Sequence, residues 1–417
     1  MAAESGHCAA YDRSTVSRWL SGTTPRPPAP TLLLEALSRR LARPVTSVEA
    51  GLSQAPSTLV DLSGEADPLH RLSHLTAAEL DPTRRHILGT GIYSVAALAA
   101  PALWHPLLDP PHPPAPHPGM NRRAGPAELG QMHTMIHNFA QSSQAHGSAH
   151  LRTTLAAYLR HDVAGYLHRP AAPGIHEQLL SAAAQLTLLL GNICAGDGGD
   201  AHAQQYHLTA ARLARDAGDA ATYAITLRTM SAHAHDLGHH TTAVLHLAEH
   251  AAHSSRSAPP VVRAYAHAHL AVVQASHDKH AALADMATSE RLHEQATTTA
   301  PGPFTHYPAG ALHYQRAQAL NTLGDASGAI SALTTSLRLR TPPERHATAL
   351  TRARLAEILL AQGHLDAALE HWETFLHDCP TLHSALVQRK IQNMRRLLHP
   401  HRRHLPTARL LTRAAHH

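Results

Sequence analysis

Aromatic side chains make up only 4% of the 417 residues, which argues against a β-sheet protein, because strands draw heavily on aromatic and β-branched residues. Cysteine is scarcer still. Cys8, Cys194 and Cys379 lie far apart without Cys-x-x-Cys spacing, which excludes a disulfide framework and a cysteine-based zinc module and fits a reducing, cytoplasmic setting. Lysine is confined to Lys279 and Lys390, so the positive charge is almost wholly arginine, a bias that a GC-rich genome produces without selection for function. Acidic residues stop at Asp378, while Arg389, Lys390, Arg395, Arg396, Arg402, Arg403, Arg409 and Arg413 follow. A solvated capping helix with a frayed, disordered end over 401–417 accounts for this basic terminus, although such a tail can also bind phosphates. No Ser-His-Asp arrangement, phosphate-cradling glycine loop or His-Glu-x-x-His motif is apparent, so neither an enzyme nor a bound cofactor is indicated.

What is abundant is alanine, leucine and histidine, a mixture that favours helices packed through small side chains. An all-α protein is expected. The 40 histidines invite a metal hypothesis, and His246 and His250 are spaced to share a helix face. Their scatter without a period points instead to structural histidine and to no dedicated metal site.

The length exceeds one ordinary core, and the punctuation suggests where it divides. Residues 1–52 form a compact basic segment, and 53–118 read as a linker that contains an apolar stretch and the proline-rich "PHPPAPHPG". Within that linker, "TRRHILGTGIYSVAALAAPALWHPLL" carries no charge from Ile87 to Leu108. A buried interdomain helix, a membrane-associated segment and a displaced twin-arginine export signal are three readings of it, the first favoured because glycine, serine and proline dilute a span and export signals are N-terminal.

Residues 119–400 become a series of Ala/Leu helices separated by Gly/Asp or Pro turns. In "LAEILLAQGHLDAALEHWETFLHDCP", Gly363 supplies a tight turn, Ala368 is the small residue where two helices touch, Trp372 fills the interface and Pro380 ends the second helix. This is the spacing of a tetratricopeptide helix pair. The pattern recurs as Gly324 with Ala329 and Leu333, Gly238 with Ala243 and Leu247, and Gly198 with Ala203, with a weaker unit at His277, Ala282 and Met286. Successive turns are 40, 39, 47 and 39 residues apart. The expected fold is a tetratricopeptide-like α-solenoid whose concave groove binds a peptide or protein ligand.

The segment "YDRSTVSRWLSGTTPRPPAPTLLLEALSRRLARPVT" carries the functional signal. Asp12 is suited to cap a short helix, Gly22 to end it, and Val16, Trp19 and Leu20 fall on one apolar face. A second helix from about Thr31 to Leu41 is expected to turn Leu33, Ala36, Leu37 and Leu41 toward a shared core. The run from Arg13 to Trp19 with Gly22 resembles the recognition helix of phage-repressor-type (XRE) helix-turn-helix domains. That resemblance implies base contacts from Arg13, Ser14, Ser17 and Arg18, with Thr15 beside them, and phosphate contacts from Thr23 and Arg26. It also implies a homodimer on DNA, since half-site operators need one. Only ten residues precede Tyr11, too few for two helices at ~1.5 Å per residue, so the domain is expected to lack its first two helices.

With "RRHILGTGIYSVAALAAP", "ARLARDAGD" and the repeats included, most of the chain resembles a group of actinobacterial regulators linked to sporulation and antibiotic production, which join an XRE domain to a tetratricopeptide-like region. The implied function is transcriptional regulation. A protein–protein interaction scaffold that no longer binds DNA is the alternative.

Overall fold

Glycine and aspartate, rather than long loops, set many of the helices apart. At Gly218, Gly238, Gly324 and Gly363 the backbone enters the left-handed region, with φ between 67° and 87°. There the Gly363 N–H donates to the Leu360 carbonyl and the His364 N–H to the Leu359 carbonyl, both at 2.9 Å, and the same pair of bonds closes the helices before the other three glycines. The next residue often opens the following helix. Asp219 and Asp325 accept the backbone N–H groups of Thr222 and Gly328 at 2.9 and 2.8 Å.

The computed structural model describes residues 11–26, 29–41, 45, 49–52, 67–81, 93–99, 123–146, 149–296, 304, 306–382 and 384–415. The protein is all-α: among the described residues every regular element is helical. The N-terminal elements are α1 (Arg13–Leu20), α2 (Ala29–Leu41), α3 (Pro68–Leu80), a single 3-10 turn (Ala96–Ala99) and α4 (Pro126–His146). Then α5 (Arg152–Tyr158) continues through a π-helical turn (Leu159–Val163) into α6 (Ala164–Leu167). There follow α7 (Pro173–Gly196), α8 (Asp200–Asp216), α9 (Ala220–Asp236), α10 (Thr242–Ser254), α11 (Pro260–Gln274), α12 (Lys279–Glu294) and α13 (Ala309–Thr322). The last are α14 (Ala326–Leu339), α15 (Arg345–Ala361), α16 (Leu365–Asp378), α17 (Ala385–Leu398) and α18 (Leu405–Ala414).

Two compact units emerge, one of residues 1–132, 153–191 and 199–247, the other of residues 133–152, 192–198 and 248–417. The single repeat region expected over 119–400 is therefore divided, with α8 and α9 grouped with the N-terminal helices.

In the first unit, α3 packs against α8 and the π-helical turn, burying Leu72, Leu75 and Ala78. Arg160 donates to the Ser73 carbonyl at 3.2 Å, and Arg71 donates to the Gln205 side chain. The 53–118 stretch is thus more than a linker: apolar residues three apart on α3 give it a face to bury, and Tyr93 to Leu98 are buried as well. Of the apolar run 87–108, only 93–99 are described, and they hold one short turn where a longer buried helix was expected. The rest of that run and the proline-rich stretch lie outside the described residues. Among the described helices only α7 has the length and apolar character of a membrane span, and most of that apolar window is packed inside the protein.

The second unit is built from the hairpins α11–α12, α13–α14 and α15–α16, followed by α17 and α18. Ala282, Ala329 and Ala368, each five residues past a turn, are wholly buried where paired helices meet. Twelve residues past the same turns, the Ser289 hydroxyl donates to the Ala264 carbonyl and the Ser336 hydroxyl to the Gly310 carbonyl, at 2.7 and 2.6 Å. In the third hairpin Phe375 takes that position and joins Trp372, Leu355, Ile391 and Met394 in one apolar core. A buried carboxylate ties α15 to α17: Glu357 accepts from Lys390 at 2.9 Å and from Asn393 at 2.8 Å. Burial disfavours the Glu357 carboxylate, yet Lys390, Arg354 and Asn393 hold its pKa below the usual value.

Two further expectations are corrected here. Ala243 is only half-buried and Val244 takes the buried place, because α10 starts four residues after Gly238 while α14 and α16 start two after their glycines. The disordered tail expected over 401–417 contains α18, since Thr407, Leu410 and Ala414 form a buried stripe while Arg409 and Arg413 face solvent.

Trp372→Ala is expected to destabilise the second unit by roughly 3–5 kcal/mol through lost transfer energy and a cavity. Gly363→Ala, whose added methyl meets nothing within 4 Å, should cost about 1–2 kcal/mol from backbone strain alone. Urea unfolding followed by circular dichroism measures both, and equal losses would contradict this account of the hairpin.

Candidate functional site

Asp12 starts α1 by accepting the Thr15 N–H at 2.8 Å, and the Ser14 hydroxyl donates to the same carboxylate at 3.0 Å. At the other end the Gly22 N–H reaches the Trp19 carbonyl and the Thr23 N–H the Arg18 carbonyl, with Gly22 at φ 104°, so α1 closes with the same paired bonds as the helices before Gly218, Gly238, Gly324 and Gly363. Between these ends Arg13, Ser14, Ser17 and Arg18 are exposed on one short helix, and Thr23 and Arg26 are exposed just beyond it. Thr15 is half-buried and accepts from Arg18 at 3.3 Å. Ser14, Thr15 and one nitrogen of Arg18 therefore already have local partners, which leaves Arg13, Ser17 and the rest of the Arg18 guanidinium as the outward polar groups of α1.

The apolar side of α1 is largely uncovered. No α1 residue is buried, Leu20 is 85% exposed, and Trp19 meets the Tyr11 ring edge-on with centroids 5.0 Å apart. In α2 the inward face is displaced from the one expected. Ala29, Leu32, Glu35 and Ser38 are buried, whereas Leu37 and Leu41 are exposed and Leu33 and Ala36 half-buried. The cause is Glu35, which turns inward to accept the Val95 N–H at 2.9 Å and the Arg39 guanidinium at 2.7 Å.

Val95 belongs to a segment laid across α8 and α9. The Gln204 carboxamide of α8 accepts the Ser94 N–H at 2.8 Å and donates to the Ser94 carbonyl at 2.6 Å. The Tyr93 hydroxyl donates to the Met230 carbonyl of α9 at 3.2 Å, and its ring lies edge-on to His233 at 5.0 Å and stacked on His239 at 5.8 Å. His233 in turn contacts Asp200 at 2.8 Å. Beneath them His207 is wholly buried, its pKa pushed down to about 3 by burial and by the neighbouring His233. Gly191 makes room for that imidazole, for a Cβ there would overlap the ring.

None of Glu35, Tyr93, Gln204, His207 or His233 was singled out from the sequence as a functional residue. One signal was available: α8 is buried from His202 through Ala214, yet carries Gln204, Gln205 and His207 in that stretch. Polar groups on a helix buried on all sides need partners from elsewhere in the fold.

Among the described residues no group of three His, Cys, Asp or Glu side chains is placed to hold a metal ion. His246 is exposed and His250 half-buried, with burial lowering the His250 pKa. Cys194 and Cys379 are buried free thiols, and Cys8 lies outside the described residues.

Residues 1–53, the span containing α1 and α2, match a family described as the SP15 N-terminal domain. Nothing among curated proteins matches the chain.

Hydrogen bonds from Thr15 and Ser14 hold the Asp12 carboxyl down to about 2, from an ordinary value of 3.8. A depressed folded-state pKa means that the cap's contribution is complete above about pH 4 and is lost as pH falls toward about 2. Titration of α1 helicity with site-specific isotope labels should show this loss, and Asp12→Asn should retain the cap without the pH dependence. A midpoint near 4 for Asp12 would contradict the cap.

Proposed function

We propose that the protein is a transcriptional regulator, with α1 as the recognition helix of an XRE-type helix-turn-helix and the helical hairpins as a tetratricopeptide-like solenoid that senses a peptide or protein partner. The observation that carries the reading is α1 itself: Arg13, Ser17 and Arg18 face solvent on a helix fixed at both ends by Asp12 and Gly22. Arginine at the start of such a helix can donate two bonds to guanine O6 and N7, while Thr23 and Arg26 can meet phosphates that set the register. The family match over 1–53 supports treating the segment that holds α1 and α2 as a module in its own right. On this reading the protein works in the cytoplasm as a homodimer on paired half-sites.

Glycine turns followed by buried alanine at the fifth position support the repeat assignment. They also support a second reading, an interaction scaffold without DNA contact. The specific observation in its favour is the exposed apolar side of α1, where Val16 and Leu20 are not packed.

Selection of the full chain against a random-sequence duplex pool separates the two. The regulator reading expects an enriched motif, with Arg13→Ala or Arg18→Ala weakening binding to that motif by roughly tenfold to a hundredfold per lost guanine contact. Equal binding by the variants would remove these residues from base reading, and failure of the wild type to enrich any motif would favour the scaffold.

A further inference from the structure

Tyr93, Ser94 and Val95 are held in the way a protein holds a peptide ligand. Their backbone is read by side chains of other elements: Gln204 takes both the N–H and the carbonyl of Ser94, and Glu35 takes the N–H of Val95. A carboxamide that bonds both polar groups of one residue grips the backbone irrespective of the side chains along it. Selectivity then comes from the side chains. Tyr93 enters a pocket lined by Met230, His233 and His239, with its hydroxyl bonded at the far end. Ala97 and Leu98 are wholly buried beyond the clamp. Gln204 is 1% exposed and Glu35 5%, so both act away from competing water.

We propose that this face of α8 and α9 is a binding site for a short peptide bearing an aromatic residue, a small residue and a branched aliphatic residue in succession, and that Tyr93–Leu98, which runs into a 3-10 turn at Ala96, is its resident occupant. The proposal rests on the reading of the helical region as a peptide sensor and names the site, the clamp and the ligand chemistry. It also gives binding a route to α2. Because Glu35 belongs to α2 and bonds Val95, an incoming peptide that displaces the segment substitutes its own N–H for Val95's and so releases α2 from its tie to residues 93–98. Arg39 stays four residues along the same helix and keeps its bond to Glu35.

The test uses a fluorescent peptide with the sequence of residues 91–98, GIYSVAAL, and the full chain. Tyr93→Ala combined with Ser94→Pro empties the site by removing the aromatic anchor and the N–H that Gln204 accepts. A tethered segment competes at an effective concentration of roughly millimolar, so this variant should bind the peptide at least ~100-fold more tightly than the wild type. Adding Gln204→Ala to the variant should abolish the gain. A helical variant that binds no peptide, or binding unaffected by Gln204→Ala, overturns the proposal. If the variant fails to fold, hydrogen exchange on the wild type decides. Millimolar peptide should deprotect the Ser94 and Val95 amides while α8 and α9 stay protected, and exchange at those amides only with global unfolding refutes the site. No DNA enters either assay, so both outcomes are independent of whether α1 reads sequence.

Discussion

Two helices can lie against each other closely only where a small side chain stands at their contact, and alanine at the fifth residue past a turn imposes that constraint in this protein. Ala203, Ala282, Ala329 and Ala368 all occupy it and all are wholly buried. Once the approach is fixed, the ninth position past the turn must fill the space beside it. His207, Met286, Leu333 and Trp372 do so in four different ways. Trp372 does it with apolar area, the strongest contribution available from one side chain. His207 does it with an imidazole that burial keeps neutral at any pH well above about 3. A core position filled by histidine permits a polar neighbourhood around it, and there His233, Asp200 and Tyr93 gather.

Much of the helical framework could be read directly from residues, because its determinants are local. Gly363, Gly324 and Gly238 stand where the chain must take a positive φ, and the alanine after all but one of those turns falls on the buried face. At Gly238 local reading slipped by one residue, since His239, His240 and Thr241 delay the start of α10. Gly218, between α8 and α9, has the same geometry, but no alanine five residues on marks it in the sequence. Ser289 and Ser336 were equally silent. A serine in an amphipathic stretch gives no hint that its hydroxyl bonds a carbonyl on the partner helix about 25 residues away.

The candidate sites divide along the same line between local and distant causes. Asp12, Gly22 and the exposed arginines of α1 could be placed from sequence, since cap and exposure follow from the helix alone. The inward face of α2 could not, because periodicity assigns the core to leucines and has no term for a carboxylate that turns inward. Leu37 and Leu41 lose to Glu35 because the Val95 N–H, 60 residues away, must be met once it is buried. The apolar run around Tyr93 was ambiguous for the same reason. Its composition suits a buried helix, a membrane span or an export signal, and the bonds that decide its conformation come from Gln204, Glu35 and the Met230 carbonyl.

Glu35 thereby joins regions that the sequence presents as separate. A buried carboxylate is tolerated only with strong donors, and the two that Glu35 has among the described residues are of different kinds. Arg39 is four residues along α2 and stays with Glu35 as long as that helix persists, whereas the Val95 N–H comes from a segment held chiefly by Gln204 and the tyrosine pocket. Losing Arg39 would strand a charge. Losing Val95 leaves a carboxylate that still has its guanidinium, a smaller penalty. The Val95 bond therefore helps to set which side of α2 is buried, and on the proposed reading it is the one of the two that a ligand can exchange.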